Sequence, residues 1–158
     1  TGGGRAVTIC PMDQSHVAAV AEIGRLCFSE PWSEAAVRGE LQNPHGEIYV
    51  CCEEGAVLGY ASIAFVLDEG SINNIAVLPQ FRRRGIADAL LYFLDGQADR
   101  RSLSFFTLEV RASNQAALAL YEKHGYRPVG RRRGFYTKPA EDAVLMTKYY
   151  QMRKETEE

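Results

Sequence analysis

The stretch from Ser71 to Val110 constrains the fold most. Ser71–Leu78 is an apolar, strand-like run that stops at Pro79. A turn with one glycine, Gly85, follows, and then Ile86, Leu90, Phe93 and Leu94 recur at helical spacing. Leu103–Val110 is a second apolar strand. A strand, a helix and a strand in immediate succession make a helical crossover, so the chain builds a sheet covered by helices.

The flanking sequence adds hairpins. Val7–Cys10 reads as a first strand, and Asp13 or Ser15 can cap a helix that runs to about Phe28. Pro31 breaks that helix, and Ser33 can cap a second one to about Leu41. Ile48–Glu53, Val57–Leu67 and Ser71–Leu78 are strands, with hairpin turns expected at Glu54-Gly55 and Asp68-Glu69-Gly70. Asn114 can cap a helix that ends near His124 and Gly125. Two last strands are expected at Tyr126–Arg132 and Ala143–Tyr150. The order β-α-α-β-β-β-α-β-α-β-β is that of an α/β protein with a mixed sheet and helices on both faces.

A length of 158 residues fits a single domain, here residues 5–150. Thr1-Gly2-Gly3-Gly4 reads as a tag or processing remnant, and residues 151–158 as a charged, solvated tail. No apolar run approaches the roughly 20 residues that span a bilayer, and no secretory leader is visible, so a cytoplasmic protein that avoids membranes is expected. Net charge is −2, which argues against stable nucleic-acid binding as the main task. Against that background stand two arginine triplets, Arg82-Arg83-Arg84 and Arg131-Arg132-Arg133.

Cys10, Cys27, Cys51 and Cys52 form no CxxC pair, and His16, His45 and His124 lack ligand spacing to them, so no metal site is expected. Cys51 and Cys52 are adjacent in a strand and point to opposite faces. The histidines read as surface or capping residues.

The turn Arg82-Arg83-Arg84-Gly85-Ile86-Ala87 carries the first chemical signal. A helix start has free N–H groups and the positive end of a dipole. A glycine there removes a side chain where a ligand would approach the backbone. The combination suits a phosphate or pyrophosphate. The GxxxxGK[ST] spacing of a Walker loop is absent, and a single glycine makes no dinucleotide fingerprint.

This turn resembles the coenzyme A pyrophosphate loop of the GCN5-related N-acetyltransferases (GNAT), written Q/R-x-x-G-x-G/A. Ala87 stands where glycine is commoner, Arg82 where glutamine is common, and Asp88 where a basic residue is frequent. The resemblance implies a GNAT fold: a mixed sheet of about seven strands with a splayed strand pair and about four helices. It implies that Arg82 to Asp88 hold the cosubstrate acetyl-coenzyme A. It also implies that the backbone of Ile75, Ala76 and Val77 binds the pantetheine arm like an added strand.

A second run, from Leu108-Glu109-Val110-Arg111 through Ser113-Asn114 to Leu120-Tyr121 and Gly125-Tyr126, resembles the ribosomal-protein-alanine N-acetyltransferases (the RimI type) within that superfamily. Phe28-Ser29-Glu30-Pro31-Trp32-Ser33 is similar to the same group's F-x-x-P-W-S segment. Arg132-Arg133-Gly134-Phe135-Tyr136 and Glu141-Asp142-Ala143-Val144-Leu145-Met146 resemble its ending.

By that resemblance Glu109 is the base that deprotonates an acceptor amine, and Tyr121 supplies a proton to the departing thiolate. Asn114 joins Tyr121 among the cosubstrate-binding residues. Phe28, Trp32, Phe135 and Tyr136 are candidate walls for an acceptor peptide, the N-terminus of a ribosomal protein. An α-amine with a pKa of about 8 is partly neutral at pH 7, whereas a lysine at about 10.4 is almost wholly charged. The alternatives are acetylation of another amine, a coenzyme A sensor without turnover, and an RNA- or ribosome-binding module built on the arginine triplets.

Overall fold

The computed structural model describes residues 6–151. The expected terminal remnant Thr1–Gly4 and, apart from Gln151, the charged tail lie outside them. The element order is the one read from the sequence: β1 (Thr8–Pro11), α1 (Val17–Cys27), α2 (Glu34–Gly39), β2 (Gly46–Glu53), β3 (Ala56–Val66), β4 (Glu69–Val77), α3 (Ile86–Arg100), β5 (Phe105–Arg111), α4 (Gln115–Lys123), β6 (Arg127–Thr137) and β7 (Ala140–Tyr149). The seven strands form a mixed sheet in the order β1-β2-β3-β4-β5-β7-β6. The pairs β1–β2, β2–β3, β5–β7 and β6–β7 are antiparallel, and β4–β5 is parallel. The β4–β5 ladder runs from Glu69–Phe105 to Ser71–Thr107, although β4 continues to Val77 and β5 to Arg111.

The chain divides into two compact units, one up to Ala64 together with Ile72–Phe93, the other Phe65–Ser71 with Leu94 onward. In the first unit Asp13 opens the helical segment with a capping box. Its side chain accepts from Ser15 N–H at 2.8 Å, and its own N–H donates to His16 Nδ1 at 3.0 Å. Val17, Val20 and Ile23 follow at helical spacing and pack with Val37, Ile48, Val50 and Tyr60. Glu54 and Gly55 both take positive φ, 50° and 81°, as a tight hairpin with right-handed strand twist requires. Cys51 and Cys52 are both buried, at 0% and 8% exposure, so β2 is covered on both faces rather than one.

In the second unit β5 alternates strictly. Phe106, Leu108 and Val110 are buried, and Phe105, Thr107, Glu109 and Arg111 share the opposite face.

The turn expected at Asp68-Glu69-Gly70 is displaced. Leu67 carries the positive φ, 54°, and Glu69 and Gly70 are already in β4. Gly70 is needed for packing: an added Cβ would lie 2.7 Å from the Phe106 ring and 2.8 Å from Leu103. β5 begins at Phe105 rather than Leu103, and Leu103 is buried just ahead of it. β6 runs past the expected end at Arg132 to Thr137, because register shifts at Pro128/Gly130 and Arg132/Tyr136 absorb its glycines. No described helix is long and apolar enough to cross a membrane.

Candidate functional site

The first unit presents the anion cradle. Leu78 N–H donates to the Leu58 carbonyl on β3 at 2.8 Å. Successive residues of a strand turn their polar groups to alternate sides, so those of Ile75 and Val77 point away from β3. The Val77 carbonyl accepts from the Cys27 thiol at 3.4 Å. Gly59 lets this part of β4 approach closely, because an added Cβ would stand 2.7 Å from the Ala76 carbonyl oxygen. Gly59 was not singled out from the sequence. Its only signal there is a glycine inside a strand.

After a single turn at Pro79–Phe81 the chain enters the arginine triplet. Arg83 has φ 66° and Gly85 φ 77°. The Gly85 carbonyl accepts from Ala89 N–H at 2.9 Å, which opens α3. The N–H groups of Ile86 and Ala87, at the first two positions of α3, precede its regular backbone ladder. A Cβ on Gly85 would meet nothing within 4 Å, so its place is open space. The arginines are not equivalent. Arg84 pairs with Glu53 at 2.8 Å and lies over the Phe81 ring, and Arg82 reaches the Cys27 sulfur at 3.6 Å. Ile86 is buried, Asp88 is half-buried and Arg83 is exposed. Asp88 occupies the first turn of α3, where a carboxylate suits the helix dipole and works against a second anion.

The second unit holds the acid–base candidates. Glu109 lies opposite Leu145 in the β5–β7 ladder, and its Oε1 is 3.3 Å from Arg132 Nε. Their side chains are 27% and 56% exposed. Tyr121 is half-buried in α4, with its ring 5.9 Å from that of Tyr126. Burial, with a smaller effect of Tyr136, pushes the Tyr121 phenol up to about 12, so it keeps its proton near neutrality. Burial also pushes the Tyr136 phenol up, with Arg111 opposing the shift and Glu109 and Glu141 adding to it. Asn114 caps α4, its Oδ1 accepting from Ala117 N–H at 3.1 Å, so one of its polar atoms is already used by the fold.

Of the candidate acceptor walls, Phe135 is 45% exposed and packs edge-on against Tyr136 at 5.0 Å. Phe28 and Trp32 are half-buried against the core of the first unit. His16 and His124 act at helix ends, as expected, although His124 is also buried. Among the described residues no cluster of His, Cys, Asp and Glu could hold a metal ion.

Arg111 and Glu141 stand out beside these groups. Arg111 donates to the carbonyls of Lys138 and Pro139 and to Glu141 Oε1, and it stacks over the Tyr136 ring at 4.2 Å. Glu141 Oε2 accepts from Ser113 N–H at 2.6 Å. Hydrogen bonds from Ser113, and secondarily the Arg111 guanidinium, hold the Glu141 carboxyl below its ordinary range. Both residues belong to the recognised runs, but a link across about thirty residues leaves no local pattern in a sequence.

These features agree with what the chain is similar to. The model of the Acetyltransferase (GNAT) family matches residues 17–126. The [ribosomal protein bS18]-alanine N-acetyltransferase of Escherichia coli (strain K12) is 35% identical over 144 residues, 88% of this chain and 95% of that protein. The protein of the same name from Haemophilus influenzae is 37% identical over 134 residues, 81% of this chain and 88% of its own. The crystal structure of the ribosomal-protein-S18-alanine N-acetyltransferase from Escherichia coli superposes with a TM-score of 0.87 at 33% identity, covering 97% of this chain and 99% of that one. The chain belongs to the GNAT family of acetyltransferases.

Proposed function

We propose that the protein transfers the acetyl group of acetyl-coenzyme A to a protein N-terminal α-amine, the N-terminal alanine of ribosomal protein bS18, in the cytoplasm. Residues 5–150 serve this reaction as one domain, and the family match runs through both compact units. The observation that carries the reading is the likeness to the bS18-alanine enzymes along most of both chains.

The residues fit the cosubstrate. The N–H groups at the start of α3 and the exposed Arg83 suit a diphosphate, and the space beside Gly85 admits it. The outward backbone of Ile75 and Val77 suits the amides of the pantetheine arm, and an N–H there can stabilise a developing oxyanion.

The acceptor reacts as the neutral amine. Its nitrogen forms a bond to the acetyl carbon while the C–S bond breaks. Glu109, directly or through water, takes the proton that nitrogen loses. The Tyr121 phenol gives its proton to the departing sulfur, which leaves as the thiol, and solvent returns a proton to Tyr121 as Glu109 releases the one it took. An α-amine needs less help than a lysine because more of it is neutral at pH 7. Much of the acceleration comes from holding both substrates in register. The ion pairs of Arg84 with Glu53, Arg131 with Asp142 and Arg132 with Glu109 spend arginine charge within the chain, which disfavours the RNA-binding alternative.

Mass spectrometry of short peptides incubated with acetyl-coenzyme A tests the reading. An Ala-starting bS18 peptide should gain one acetyl group on its α-amine. Acetylation confined to internal lysines, or none at all, overturns it.

A further inference from the structure

The β6–β7 ladder is interrupted just before the hairpin tip, where Tyr136–Glu141 and Thr137–Ala140 pair again. The β6–β7 register jumps from Arg132–Ala143 to Tyr136–Glu141, so residues 133–135 stand outside the regular ladder. β6 is the outermost strand of the sheet, and nearly all of it is exposed. Yet this segment carries Phe135 and leads directly into Tyr136. Within the interruption Gly134 N–H donates to Asp142 Oδ1 at 2.9 Å, which ties the segment to β7 but not to β5.

Arg111 ties the hairpin tip to β5. It closes β5 and, by strand alternation, faces the same side as Glu109. One guanidinium ties four features: the Lys138 carbonyl at 2.9 Å, the Pro139 carbonyl at 3.0 Å, Glu141 Oε1 at 3.3 Å and the Tyr136 ring at 4.2 Å. Glu141 continues the link to Ser113 N–H, beside the Asn114 cap of the helix that carries Tyr121. Arg111 and Glu141 are 24% and 19% exposed, so water competes only in part. A planar fork can make these bonds together, and a lysine ammonium cannot reproduce them.

We propose that Arg111 is a positioning residue for the acceptor, fixing the Phe135–Tyr136 pair relative to Glu109 so that acceptor binding and selectivity depend on it while cosubstrate binding does not. The inference rests on the proposed α-amine acetylation. Small displacements of substrate-positioning groups are costly to rate, and here the effect falls on the acceptor side.

The test compares wild type, Arg111→Lys and Glu141→Gln, using an Ala-starting peptide as acceptor and calorimetry with coenzyme A. Arg111→Lys should raise the peptide KM by about tenfold or more, with coenzyme A affinity unchanged. It should also narrow the preference for Ala over bulkier first residues. Glu141→Gln keeps an acceptor oxygen for Ser113 and should give a smaller shift in the same direction. If Arg111→Lys does not fold, Glu141→Gln decides alone. An unchanged peptide KM, or equal losses for peptide and coenzyme A, overturns the proposal. Wild type that fails to acetylate the α-amine would instead strike the proposed function itself.

Discussion

Nε of Arg132 lies 3.3 Å from Oε1 of Glu109, so the carboxylate proposed as the base is paired with a guanidinium from the edge strand. A pair this exposed is worth little to folding after solvent screening. Glu109→Gln should therefore melt within about 3 °C of wild type, while kcat falls by about 100- to 10,000-fold. Coenzyme A affinity should stay the same. Scanning calorimetry, steady-state kinetics and ligand titration on one preparation check all three. An active Glu109→Gln enzyme removes Glu109 from the chemistry.

Gly85→Ala separates backbone strain from ligand access. The residue sits at φ 77° with open space where a Cβ would go. Strain alone should cost about 1–2 kcal/mol in urea unfolding. Because the methyl group would enter the proposed path of the diphosphate, the Kd for coenzyme A should also rise, by about tenfold. A stability loss without any loss of affinity would place the diphosphate elsewhere.

The arginine triplet should split by role. Arg83→Ala should raise the KM for acetyl-coenzyme A several-fold at low ionic strength, and the difference should shrink near 0.5 M salt as screening sets in. Arg84→Ala should behave differently, because it strands the Glu53 carboxylate, whose side chain is only 14% exposed. Its main effect should be a lowered Tm that Glu53→Gln partly restores. Identical salt-dependent behaviour of the two variants would refute the division.

Alkaline pH should expose the buried phenols. Burial raises Tyr60, Tyr121, Tyr126, Tyr136 and Tyr150, with Tyr121 at about 12. Below about pH 10 the folded and unfolded chains hold these protons alike. Above it the unfolded chain releases them first, so stability falls as pH rises toward the folded values. Tyrosinate absorbance followed with circular dichroism should show a late step that coincides with unfolding, and Tyr121→Phe should make the decline shallower. Free titration of all eight tyrosines in the folded protein would contradict the burial.

The parts legible in the sequence were those with local causes. The apolar spacing of Ile86, Leu90 and Leu94 marks α3, the Asn114 amide marks the start of α4, and Glu54-Gly55 marks a hairpin. Gly70 misled because a glycine in a turn and a glycine under an aromatic ring look alike in one dimension; only the Phe106 contact distinguishes them. The pairing of Cys27 with Val77 spans 50 residues, and that of Arg111 with Glu141 spans 30. Neither leaves a periodic trace. The candidate roles of Glu109 and Tyr121 were reached by family likeness. Strand alternation alone says only that Glu109 faces away from Phe106, Leu108 and Val110.

The two outer strands of the sheet bear on how the protein behaves at high concentration. β6 meets solvent with three consecutive arginines and a broken register, and β1 is four residues long and ends in Pro11. A neighbouring molecule seeking to extend the sheet would find charge repulsion on one border and a short, proline-ended strand on the other. Both borders are poor templates for fibril growth.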